Sequence, residues 1–127
     1  MDTNTILFIV VSVLVIALFL TLLKIYSLTG IYLIPSSQAK RLLQSGMITK
    51  VIDVRTQAEY EVSHYPNSIN IPVHKINKNS TKDLNKESHI LIYCNTGQRA
   101  RYAVNKMRKM GFKNVFYIDS TFKTLLW

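Results

Sequence analysis

The sequence predicts an α/β domain, a mostly parallel sheet flanked by helices, preceded by one N-terminal transmembrane helix. Three observations predict it. Residues 5–23 carry no charge and are rich in Ile, Val, Leu and Phe. Beyond them, short apolar runs alternate with helical patterns, the order that builds a parallel sheet. One of those runs, Ile90-Leu91-Ile92, is continuous, as in a strand covered on both faces. At 127 residues there is room for one ordinary domain besides the helix.

As a helix the uncharged run reaches about 28 Å, close to the hydrocarbon thickness of a bilayer. Ser12 and Thr21 can bond back to helix carbonyls. A buried core helix would show a polar stripe, and this run shows none. A secretory leader would open with Lys or Arg and end at small residues. Here Met1-Asp2-Thr3-Asn4 opens the chain, and no small-x-small site precedes Lys24. Asp2 is the one charged side chain before the run, whereas Lys24, Lys40 and Arg41 follow it, so the positive-inside rule places the C-terminal part in the cytoplasm. A lone free cysteine suits that reducing compartment. The chain thus divides into an anchor over residues 1–25, a linker over 26–32 with Gly30 as its flexible point, and a domain over 33–127.

Within the domain, Ser36 or Ser37 can cap a helix running through Leu43, which Gly46 closes. Val51-Ile52 with Val54 forms a strand. Thr56-Gln57-Ala58-Glu59 is a capping box that opens a second helix. Ile69-Asn70-Ile71 is a brief strand stopped by Pro72. Residues 73–88 are polar and carry no readable period. The apolar run then reaches Tyr93, a loop follows, and Ala100, Ala103, Val104, Met107 and Met110 mark one face of a helix that Gly111 ends. Residues 115–118 form the last strand and 122–127 a short final helix.

Charge and cysteine content exclude several classes. Lys and Arg total 16 against 7 Asp and Glu, a net charge of +9. With 48% hydrophobic and 18% charged residues, the chain is not disordered. One cysteine excludes an internal disulfide framework and a multi-cysteine zinc site. His74 and His89 have no ligand spacing with each other or with Cys94, so no metal is expected. The basic set Arg101, Lys106, Arg108, Lys109 and Lys113 lacks interleaved aromatics or a known motif, so no nucleic acid is expected. It reads as a solvated face near anionic headgroups, able to steer anionic donors.

Cys94 is where the chemistry concentrates. Ligands of parallel sheets sit beyond the C-terminal ends of strands, and Cys94 directly follows the buried one. Five backbone N–H groups, from Asn95 through Thr96, Gly97 and Gln98 to Arg99, can curl around its sulfur. The next helix aims its positive dipole end at the same point. Gly97 permits the tight curl and Arg99 adds a full charge. Each feature favours thiolate over thiol. A lone cysteine at a strand end is otherwise a small, inert packing residue.

Cys94-Asn95-Thr96-Gly97-Gln98-Arg99-Ala100 resembles the C-x-x-G-x-R-[AS] active-site loop of rhodanese-like (sulfurtransferase) domains. Val51-Ile52-Asp53-Val54-Arg55 with Glu59-Tyr60 is similar to their v-i-D-v-R…E-[YF] segment. Residues 63–72, SHYPNSINIP, are similar to G-H-I-P-G-A-I-N-I-P, and Gly111-Phe112 with Val115 to G-F-x-x-V. The resemblance covers residues 33–127 in order. It implies that the Cys94 thiolate takes the outer sulfur of thiosulfate or a persulfide and passes it from a cysteine persulfide to a thiol or other acceptor. No cofactor is implied. Arg99 would secure the loop or the donor anion, and Asn95, Thr96, Gly97 and Gln98 would bind substrate. Asp53 and Arg55 would support the site, reading first as an ion pair that pins the loop. His64 reads as a hydrogen-bonded packing residue.

Some positions depart from related patterns. Phosphate-ester hydrolases of a related fold use Cys-x5-Arg after a histidine. Here four residues separate Cys94 from Arg99, and Tyr93 stands before the cysteine. Ser63 and Asn67 replace family glycines, and Ser120-Thr121 stand near a family Gly-Gly pair, where a required positive φ would strain Thr121. Trp127 falls two positions past the family tryptophan. These departures keep open a catalytically degenerate binding or regulatory module at the membrane.

Overall fold

The structure, a computed structural model, describes residues 1–29 and 32–126. The expectations for Gly30 and Trp127 fall outside them. The chain forms two compact units, residues 1–31 and 32–127.

The first unit is one helix, α1 (Thr3–Thr29). Asp2 caps it by accepting the Thr5 N–H at 3.0 Å. Its stretch Thr3–Tyr26 is 24 residues long and apolar enough to cross a bilayer, with no part of it buried. Its apolar residues are spread around the helix with no polar stripe. Ser12 and Thr21 turn their hydroxyls inward, to Phe8 O and Ala17 O at 2.8 Å each.

The second unit is a four-stranded parallel sheet in the order β2-β1-β3-β4: β1 (Lys50–Asp53), β2 (Ile69–Asn70), β3 (Ile90–Tyr93) and β4 (Val115–Tyr117). Beyond β4, Leu33 bridges Tyr117 in parallel, so residues 32–34 continue the sheet. Every residue of the central β3 is buried, as its unbroken apolar run requires. Side chains alternate between two cores. Ile90 and Ile92 face a cluster with Ile52, Ile71, Ile76 and the inner face of α4 (Gln98–Lys109). Leu91 and Tyr93 face Ala39, Ile118, Phe122 and Leu125 on the other side.

The helical face read from the sequence is buried at Ala100, Ala103, Val104 and Met107. Met110, at the helix end, is only half-buried because the chain turns away at Gly111 (φ 99°). The capping box of α3 (Gln57–Val62) is complete: Thr56 Oγ1 accepts the Glu59 N–H at 3.2 Å, and Glu59 accepts the Thr56 N–H at 2.8 Å.

Two elements differ from the sequence reading. In α2 (Ser36–Gln44) the cap position is Pro35, not Ser36 or Ser37. Ser36 instead hydrogen-bonds Ser120 Oγ at 2.6 Å and Thr124 Oγ1 at 3.0 Å, partners more than 80 residues away. The final helix is a short 3-10 turn over Phe122–Leu125, whose purpose is to bury Phe122 and Leu125. Within the unreadable stretch 73–88, Val73–Lys75 form one 3-10 turn. The Asn77 side chain then accepts the Ser80 N–H at 2.8 Å, and Ile76 and Thr81 are buried.

Candidate active site

The C-terminal ends of β1 and β3 and the N-terminus of α4 converge on Cys94. Its sulfur accepts the Gly97 N–H at 3.1 Å and the Ala100 N–H at 3.4 Å. Of the five amides read as the cradle, Gly97 supplies one bond, and Ala100, one residue beyond them, supplies the second. The helix geometry explains this, since Ala100 lies in the first turn of α4, where N–H groups have no intrahelical acceptor. Thr96 and Gln98 stand exposed at the rim, and Asn95 and Arg99 are half-buried. Cys94 itself is only 1% exposed, tucked beneath the loop.

Gly97 is fixed twice over. Its φ of 93° is left-handed, and a Cβ there would stand 2.8 Å from the Asp119 Cα. The close approach admits no side chain at this position unless the backbone moves.

Arg99 does not point toward an incoming anion. Its guanidinium grips Glu59 in a fork, Nη1 to Oε2 at 2.8 Å and Nη2 to Oε1 at 3.2 Å. Asn95 Nδ2 joins the same carboxylate at 3.2 Å. One carboxylate therefore caps α3 and holds both ends of the loop. The Arg99 fork, with help from the Thr56 N–H, brings the Glu59 carboxyl down to about 2, and Glu59 in turn raises Arg99. Glu59 was not among the site residues read from the sequence. Its signal there was the capping box and the E-[YF] pair, but its tie to Arg99 spans 40 residues.

Asp53 and Arg55 form a buried ion pair at 2.6 Å, with Arg55 Nε also 3.0 Å from both carboxylate oxygens. Arg55 donates further to Ser63 O at 2.7 Å. The Tyr93 hydroxyl donates to Asp53 at 2.7 Å and accepts the Tyr65 N–H at 3.0 Å. Burial above all pushes this phenol up to about 12. The pair thus ties β1 and β3 to the segment that carries His64. That histidine stacks on Tyr60 at 3.7 Å and donates Nδ1–H to Tyr60 O at 2.8 Å.

The departures from the family pattern cause no backbone strain. Thr121 has φ −71°, and Ser63 is extended at −165°. Asn67 is the one described non-glycine residue with positive φ, at 63°, a conformation Asn adopts readily. In the basic set, Arg108 lies 3.6 Å over the Tyr32 ring, and Lys113 pairs with Glu87 at 3.3 Å.

The site is thus a cysteine sulfur that accepts two backbone N–H groups at a strand-to-helix loop of a parallel sheet. Comparison with known proteins narrows it. The family model for the rhodanese-like domain matches residues 36–124. The chain is 34% identical over 79 residues to the putative sulfur carrier protein YrkF of Bacillus subtilis, covering 62% of this chain and 42% of that protein. It is 36% identical over 64 residues to the adenylyltransferase and sulfurtransferase uba4 of Ogataea parapolymorpha, covering 50% of this chain and 16% of that one. The chain therefore spans less than half of either relative. The BH2092 protein of Bacillus halodurans shares the fold with a TM-score of 0.66 and 28% identity, over 80% of this chain and 74% of that one. The human single-domain sulfurtransferase TSTD1 shares the fold with a TM-score of 0.63 at 21% identity, over 76% and 96%. The chain belongs to the rhodanese-like domain family.

Proposed function

We propose that the chain is a membrane-anchored sulfurtransferase that carries a sulfane sulfur on Cys94. The observation that carries this reading is the pair of N–H groups, from Gly97 and Ala100, converging on one sulfur at the start of α4. Fixed donors and a helix N-terminus favour negative charge on the sulfur and need no reorganisation when charge moves. The names of YrkF and uba4 support the same chemistry.

In the first step the Cys94 thiolate attacks the outer sulfur of thiosulfate. A bond from Sγ to that sulfur forms, the old sulfur–sulfur bond breaks, and sulfite leaves with its electron pair. A persulfide donor reacts likewise and leaves as a thiolate. In the second step an acceptor thiolate attacks the outer sulfur, and Cys94 departs as thiolate. Arg99 acts through Glu59 to hold the loop. Asn95, Thr96, Gly97 and Gln98 form the walls that substrate meets, and Asp53 and Arg55 support the strands beneath. Intact-mass measurement after thiosulfate treatment should show one added sulfur that dithiothreitol removes. If Cys94→Ser gains the same mass, or the native chain gains none, the reading fails.

One observation favours a second reading, a sulfur-inert binding module: the 1% exposure of Cys94. Sulfur transfer requires the rim at Thr96 and Gln98 to yield, so iodoacetamide should modify Cys94 much faster than a bulky maleimide. Equal resistance to both reagents supports the inert module.

The membrane part of the proposal places the anchor at residues 1–25, crossing through 5–23, the linker at 26–32 and the domain at 33–127 in the cytoplasm. The length and composition of α1 and the Asp2 versus Lys24, Lys40 and Arg41 asymmetry support it. The chain should stay in membranes washed with alkaline carbonate. Protease should digest the domain in inverted vesicles and spare it in right-side-out ones. Release by carbonate or the opposite protection pattern overturns the corresponding part.

A further inference from the structure

The two ends of the domain differ in charge. At the Cys94 end, Arg55 and Arg99 each hold a carboxylate, and Arg101 shares a groove with Asp119. The other end lies about 18 Å away, along the 12 residues of α4. Packing gathers cations there that are far apart in sequence. Arg108 donates to Lys113 O at 3.0 Å, the Lys113 N–H donates to Lys86 O at 3.2 Å, and the Lys86 side chain runs along Gly111. Lys86 then joins Lys78 and Lys82 around a cavity of about 230 Å³ whose apolar walls are Leu84, Met110 and Phe112. Lys109 adds a further charge at the end of α4. Asp83 and Glu87 lie in the same segment, and Glu87 is matched by Lys113, so this end keeps a large positive excess.

The same end receives the chain. Arg108 covers the ring of Tyr32, the first residue of the domain. Six residue steps separate Tyr32 from Tyr26, where the bilayer-length stretch stops. Even fully extended they reach only about 20 Å. A tether that short keeps the basic end close to lipid headgroups, where every Lys or Arg adds attraction to anionic lipid. The apolar walls between the lysines suit the glycerol and first acyl carbons of a phospholipid. We propose that this end of the domain docks on the anionic phospholipids of the membrane that holds α1, with Lys78, Lys82 and Lys86 on lipid phosphates. Docking in this way turns the Cys94 loop, at the opposite end, away from the bilayer and toward water. The inference rests on the membrane anchor proposed above and adds the lipid class that the domain recognises.

The test uses the full chain in lipid nanodiscs that carry a nitroxide on some headgroups, with amide NMR relaxation as the readout. In discs of phosphatidylcholine mixed with phosphatidylglycerol, the amides of Lys82, Lys86 and Lys113 should broaden, and those of Thr96 and Gly97 should not. In discs of phosphatidylcholine alone the broadening should fall away, as it should when salt is raised. The triple variant Lys78→Gln, Lys82→Gln, Lys86→Gln should lower the docked-to-free ratio about a hundredfold, at roughly fivefold for each lysine near the surface. Equal broadening in both lipids, strongest broadening at Thr96 and Gly97, or an unchanged pattern in the triple variant overturns the inference. Capture of a single-stranded oligonucleotide by the same lysines, with no dependence on lipid, does the same. A chain that never enters the discs sinks the anchor instead. Its sedimentation with phosphatidylglycerol vesicles then decides the docking: binding that the triple variant loses supports it, and no binding overturns it.

Discussion

Two arginine–carboxylate pairs flank the Cys94 loop, and they differ in almost everything but their chemistry. Asp53 and Arg55 are two residues apart, with side chains 0% and 7% exposed, and Arg55 lies 5.5 Å from the Tyr93 ring and 5.3 Å from the Phe122 ring. Glu59 and Arg99 are 40 residues apart and about one third exposed. The first pair is enclosed by packing and cannot lose a partner without stranding a charge where water cannot reach it. The second remains in contact with solvent, which weakens it as a source of stability but leaves it the direct link between α3 and the loop. One pair secures the domain and the other shapes the site.

The contrast can be broken at either end. The largest effect is expected for Arg55→Met, which leaves Asp53 buried and unpaired and should cost about 3–5 kcal/mol in urea unfolding of the full chain. A loss below about 1 kcal/mol would mean that the pair is not enclosed as described. Gly97→Ala should come next, at roughly 1–3 kcal/mol from left-handed strain, together with loss of persulfide formation as the Asp119 backbone is displaced.

Glu59→Gln sharpens the comparison because its two effects should separate. Stability should fall by no more than about 1 kcal/mol, as for other solvent-exposed pairs. Persulfide formation should slow by roughly ten- to hundredfold as the loop loses its fixed geometry. Its pH signature is also definite. The folded carboxyl sits at about 2 against an ordinary 4.5, so its contribution is complete above that ordinary value and disappears as pH falls toward 2. Native and Glu59→Gln chains should therefore converge in stability across that window, and parallel curves would disprove the tie. The smallest effect is expected for Lys113→Ala. It removes a pair with both side chains about two thirds exposed and should change stability by less than about 0.5 kcal/mol.

Local chemistry was readable in the sequence, and long-range partners were not. The α3 capping box, the buried β3 run and the inner face of α4 each follow from spacing within one element, and each is present. The turn glycine at Gly97 was readable too, although its second reason, contact with Asp119, depends on packing. Ser36 looked like a helix cap because a serine before a helix usually is one. Its actual partners, Ser120 and Thr124, come near only once α2 and the last turn pack on the same sheet face. The stretch 73–88 gave no period because it is held by side-chain turns around Asn77 and by single buried residues, Ile76 and Thr81, rather than by a face. At the site, Cys94 and Arg99 stood out by spacing. The role of Arg99 depends on Glu59, and no local pattern pairs two residues so far apart.

The margins of the sheet have a consequence for how copies of this domain meet one another. On the β4 side, residues 32–34 occupy the open hydrogen-bonding row. On the opposite side β2 is only two residues long, and Pro72 stands two residues beyond its end. Among the described residues, neither border offers a template long enough for a neighbouring chain to dock as an added strand. Crowded side by side, these molecules are guarded against fibrillar stacking by architecture, without relying on charge repulsion.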